Sequence, residues 1–110
     1  MNPSDPNTWI PPNWHPDFGN PTVELESLRA VSTSILASIP QTEVCLECVE
    51  EGYMSVEIMR CGVAIGEVNV IDSDSVRQRY GVFIETYAAE DEAYFADIES
   101  VVAHIRRCVS

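Results

Sequence analysis

Residues Ser55–Ile71 read SVEIMRCGVAIGEVNVI, and this stretch decides the fold. Val56 and Ile58 alternate with Ser55, Glu57 and Met59, and further on Val68 and Val70 alternate with Glu67 and Asn69. A period of two marks strands with one buried face. Cys61-Gly62 separates the two runs, so the stretch reads as a hairpin. Its register follows from which face must stay apolar. A two-residue turn at Cys61-Gly62 sets Val56 opposite Glu67 and Met54 opposite Asn69, which puts polar groups on the core face. A three-residue loop, Cys61-Gly62-Val63, pairs Ile58 with Gly66, Val56 with Val68 and Met54 with Val70, and keeps one face apolar. The three-residue loop is therefore expected, with a bulge at Gly66 as the alternative.

The same alternation extends outward. Tyr53–Arg60 is one strand and Ala64–Ile71 the next. Glu43–Glu50 is an earlier strand, with Val44, Leu46 and Cys48 on one face and Glu43, Cys45, Glu47 and Val49 on the other; Glu51-Gly52 supplies the turn after it. Arg79–Tyr87 reads as a fourth strand, setting Tyr80, Val82 and Ile84 against Gly81, Phe83 and Glu85. Short connections between successive strands favour an antiparallel meander.

A helix is expected on each side of the meander. Pro21–Ile39 repeats Leu25, Leu28, Ser32, Ile35 and Ile39 at helical spacing, with Glu24 and Glu26 in its first turn and Pro40 as a stop. Glu90–Cys108 opens on Glu90, Asp91 and Glu92 and closes on Arg106 and Arg107; its inner stripe is Tyr94, Ile98, Val101, Ile105 and Cys108. The expected fold is α+β: a two-layer sandwich of a four-stranded antiparallel meander sheet with both helices on one face, in the order α-β-β-β-β-α.

Residues 1–20 stand apart as a Pro/Asn-rich N-terminal arm, with a single α+β domain over 21–110. Five prolines keep the arm extended or turning. Trp9, Ile10, Trp14 and Phe18 give it rings to dock, either on its own domain or on a partner.

The 110 residues carry 18 Asp and Glu against six arginines and no lysine, a formal charge of −12. That charge argues against direct nucleic-acid binding and against an anionic membrane surface. It favours steering towards a basic protein. No apolar run is long enough for a transmembrane helix, and the N-terminus does not resemble a secretory signal, so a cytoplasmic protein with reduced thiols is expected.

No catalytic motif emerges, and a non-enzymatic role is expected. Cys45-x-x-Cys48 lies within an alternating strand, where residues three apart face opposite ways, so it does not read as a zinc knuckle. Cys48 and Cys108 read as small buried hydrophobes, and His104 as a boundary residue near a helix end. Asp72-x-Asp74 lacks the glycine and glutamate of a calcium loop. Neither a metal nor a cofactor is expected.

The sheet face turned away from the helices is the informative one. Glu43, Glu47, Glu57, Glu67 and Glu85 project there with Met59, Ile65 and Phe83. An acidic face with apolar islands suits docking on a basic protein partner, with Trp9 and Trp14 of the arm as further candidate contacts. The function class that fits is a small acidic protein-binding module of the immunity, antitoxin or inhibitor type, monomeric or homodimeric. A secretion-chaperone-like acidic dimer and a small enzyme are the alternatives.

Overall fold

A computed structural model of the chain describes residues 1–13, 21–50, 53–71, 77–85 and 92–109, apart from the side chains of residues 49 and 50. The elements run α1 (Pro21–Ser38), β1 (Thr42–Glu50), β2 (Tyr53–Arg60), β3 (Val63–Val70), β4 (Tyr80–Ile84), β5 (Ala93–Phe95) and α2 (Ile98–Val109). The strands form one antiparallel sheet in the order β1-β2-β3-β4-β5. The expected antiparallel meander and two helices are present, but the sheet has five strands rather than four.

The extra strand comes from the stretch read as the start of the second helix. Ala93–Phe95 pairs with β4, Tyr94 opposite Gly81 and Phe95 opposite Tyr80. The helix starts later because Asp97 caps it: the Ser100 N–H donates to Asp97 Oδ1 at 2.7 Å, and the Val101 N–H to the Asp97 carbonyl at 3.3 Å. Hydrogen bonds from the Ser100 backbone and then its side chain to the carboxylate hold Asp97 below its ordinary pKa. Tyr94, expected on the inner stripe, is exposed on β5.

The central hairpin corrects the expected loop while keeping its core pairs. Cys61 and Gly62 both have positive φ, 55° and 81°, and Arg60 pairs with Val63. This is a two-residue turn of the kind whose twist suits a hairpin. A bulge then restores the apolar register, because Met59 pairs with Ala64 but Ile58 with Gly66, leaving Ile65 as the extra residue. Val56 pairs with Val68, as expected. Gly66 is required by close approach: a Cβ there would lie 2.0 Å from the Phe83 carbonyl oxygen and 2.9 Å from the Ile84 Cα.

One sheet face and both helices share a single core. Val44, Val56, Ile58, Val68 and Val82 are fully buried with Leu25, Leu28, Val31 and Ile35 of α1 and Val101 and Ile105 of α2. Helix α1 lies against β1, β2 and β3, and α2 against β4 and β5. The Ile39 N–H still donates to the Ile35 carbonyl at 3.0 Å; Pro40 and a left-handed Gln41 (φ 61°) then reverse the chain into β1.

The N-terminal residues close over one end of this core. Trp9 is 3% exposed and belongs to the core cluster. Its Nε1–H donates to the Pro3 carbonyl at 3.0 Å, and the same carbonyl accepts the Leu46 N–H of edge strand β1 at 2.8 Å. Pro6–Thr8 forms a single 3-10 turn capped by Asp5. Arg29 of α1 donates to the carbonyls of Pro6, at 2.8 Å, and Trp9. No described helix is long and apolar enough to cross a membrane.

Candidate docking face

Alternation along β1, β2 and β3 puts every second side chain on the reverse of the sheet, and register sets them side by side. One row runs Cys45, Glu57, Glu67, Phe83 across four strands. The next runs Glu47, Ser55, Asn69, Gly81, Tyr94 across all five. Side chains directly opposite on neighbouring strands have Cβ atoms about 5 Å apart, where like charges are unfavourable. Glu57 and Glu67 are such a pair, and Glu47 lies diagonally across from Glu57.

The carboxyl groups sense one another. Burial, then the charge of Glu57, a hydrogen bond with Glu57 and the charge of Glu67 all push the Glu47 pKa up. Each of these influences disfavours the charged form of the Glu47 carboxyl, so it holds its proton more readily than an isolated glutamate would. Burial, Glu47 and Glu57 also push the Cys45 thiol up, keeping it protonated and a poor nucleophile.

Beside these carboxyls sits an unusual serine. Ser55 is 1% exposed, yet its hydroxyl has no hydrogen-bond partner among the described residues. Leaving such a group unpaired costs roughly 1–3 kcal/mol. Met54, Val56 and Ile58 are buried in the core, so Ser55 emerges on the reverse face with Glu47 directly opposite and Glu57 two residues along. Asn69, on its other side, is occupied with β4: with its amide nitrogen turned that way it donates to the Gly81 carbonyl at 3.0 Å and Glu92 Oε1 at 3.2 Å.

The residues expected on this face divide. Glu43 and Glu85 are exposed at its margins; Glu47, Glu57, Glu67, Met59 and Phe83 are half-buried. Ile65 is a correction: the bulge turns it over, and it packs against the core. Trp9 takes the first of the two expected alternatives, docking on its own domain: it fills the core and so drops out of the candidate partner contacts. Trp14 lies outside the described residues, as do the Asp72-x-Asp74 pair and the side chain of Val49. Cys48 is exposed rather than buried.

A second cluster arises on α2. The Cys108 thiol lies 3.7 Å from His104 Nε2, and the His104 ring centroid lies 5.1 Å from that of Phe95. Burial and then Arg107 lower the His104 pKa, leaving the ring neutral at neutral pH. The i, i+4 spacing of His104 and Cys108 was the signal for this pair. Between the helices, an open groove of about 260 Å³ is lined by Ser34, Ser38, Ile98, Val102 and Arg106. Among the described residues no trio of His, Cys, Asp or Glu is arranged to hold a metal ion. Comparison with known proteins assigns no family: no family model matches the chain, and neither the curated proteins nor the solved structures yield a match.

Proposed function

We propose that the chain is a small acidic protein-binding module that docks a basic protein through the reverse face of its sheet. This reading takes the fold as a two-layer sandwich, with both helices covering one face and the carboxylate rows left for a partner. The observation that carries it is the row-by-row juxtaposition of Glu57 with Glu67 and of Glu47 with Glu57. Like charges placed opposite one another weaken a sheet, and a cationic partner turns that repulsion into attraction. Met59 and Phe83, half-buried beside the carboxyls, offer apolar anchoring. Inhibition or neutralisation of a basic enzyme or toxin is the biological role this suits best, because an acidic surface can occupy a cationic cleft directly.

The test compares two variants of equal charge. One carries Glu47→Gln, Glu57→Gln and Glu67→Gln; the other carries Glu24→Gln, Glu26→Gln and Glu99→Gln on the helices. Each raises the formal charge from −12 to −9. Binding of a fluorescent peptide of mixed arginine and lysine is followed by anisotropy across a salt series. The sheet variant is expected to lose at least tenfold in affinity and to flatten the salt dependence, while the helix variant stays close to wild type. Equal losses in the two variants would show that net charge, not this face, does the binding.

A further inference from the structure

We infer that Glu47, Glu57 and Glu67 surround a subsite for one arginine side chain of the partner, with the Ser55 hydroxyl at its floor; this deepens, and rests on, the docking reading. Four acceptor groups converge from three adjacent strands: Glu47 from β1, Ser55 and Glu57 from β2, and Glu67 from β3. Ser55 is the independent observation. It is almost wholly buried, its hydroxyl has no partner among the described residues, and it stands directly across from Glu47 on the acidic face. A solvated acidic surface has no use for an unpaired hydroxyl beneath it. A ligand that brings hydrogen-bond donors down between the carboxyls does.

The donor count selects the ligand. An ammonium offers three donors around a strongly hydrated point charge, whereas a guanidinium offers five in a planar fork and gives up its water more readily. The six carboxylate oxygens and the Ser55 oxygen outnumber what one ammonium can satisfy. A guanidinium inserted between Glu47 and Glu57 relieves the repulsion between two carboxylates set diagonally across neighbouring strands. It takes both as ionised acceptors and reaches the serine with a further N–H. Charge-assisted forks of this kind are the stronger and more directional class of ion pair.

The test uses two peptides of equal length and charge, one built on arginine and one on lysine, titrated into the wild-type chain and into Ser55→Ala. Wild type is expected to prefer the arginine peptide by about tenfold, a difference of about 1.4 kcal/mol. Ser55→Ala is expected to lose most of that preference by weakening the arginine peptide alone, with an unchanged or higher Tm showing that the fold is intact. Glu57→Gln is the second variant and is expected to erase the preference as well. An arginine-to-lysine ratio unchanged by Ser55→Ala would overturn the subsite and leave the docking face standing. Failure of both peptides to bind wild type would remove the docking reading and the subsite with it.

Discussion

On the side turned to the helices, Val44, Val56, Val68 and Val82 are fully buried across four strands. On the reverse, the same strands set Glu47, Glu57 and Glu67 within reach of one another. The first face adds to stability with every side chain, since burying a valine or isoleucine is worth about 1.5–3 kcal/mol. The second works against stability, because its charges repel and its serine goes unpaired. The two sides of one strand thus carry separate burdens: Val56 and Ile58 hold the molecule together, while Ser55 and Glu57 lie outside the core and are the residues the docking proposal draws on. Substitutions should therefore change stability in opposite directions on the two sides.

The largest effect is expected at Gly66, where the sheet has no room. Gly66→Ala drives a methyl group into the backbone of β4, with the Phe83 carbonyl only 2.0 Å from the new Cβ. A loss of at least about 3 kcal/mol is expected, the upper end of overpacking costs. Chemical denaturation would read it as a lower midpoint, and a midpoint equal to wild type would mean that β3 and β4 are not held this closely.

Next comes the arm. Trp9→Ala removes a buried indole and the Nε1–H bond to Pro3 that helps seat the chain on the edge of β1. The expected cost is about 3 kcal/mol, which lowers Tm by more than about 10 °C in a domain this size. An unchanged Tm would detach the arm from the core and return Trp9 to the candidates for partner contact.

The smallest effect is expected on the reverse face, with the opposite sign. Glu47 faces Cys45 on its own strand, Glu57 on β2 and Glu67 on β3, and its pKa is raised. A carboxyl with a raised folded-state pKa contributes most below its ordinary value and loses that contribution as pH rises through the folded-state value. At neutral pH the ionised Glu47 is therefore a liability. Glu47→Gln should raise Tm at pH 7 by about 1–4 °C at low salt, less at high salt. The gain should vanish as pH falls below 4.5, the ordinary glutamate value. A gain independent of pH would assign the effect to packing rather than charge.

Much of the core face was legible because burial on one side of a strand writes a period of two into the chain. That pattern located β1, β2, β3 and α1 closely and paired Val56 with Val68. It raised a bulge at Gly66 as the alternative but could not choose it, because a tight turn with one extra residue and a three-residue loop leave the same core pairs. Ile65 was misplaced for that reason. β5 was hidden because Tyr94, Ile98 and Val101 also fit a helical repeat. Asp97, with Ser100 three residues on, was the capping signal that separates the two readings. On the reverse face the glutamates were legible one by one, but their crowding depends on register between strands. The orphaned hydroxyl of Ser55 was not legible at all, since a serine between apolar neighbours reads as an ordinary solvent-facing position.

The most direct test of the docking face is amide chemical-shift mapping of the uniformly labelled chain during titration with the mixed arginine and lysine peptide. The expected result is saturable shifts concentrated at Cys45, Glu47, Ser55, Glu57, Glu67 and Phe83, with the exposed helix positions Leu36, Glu99 and Arg106 unmoved. Shifts centred on the groove between α1 and α2, or spread evenly over all acidic residues, would contradict it.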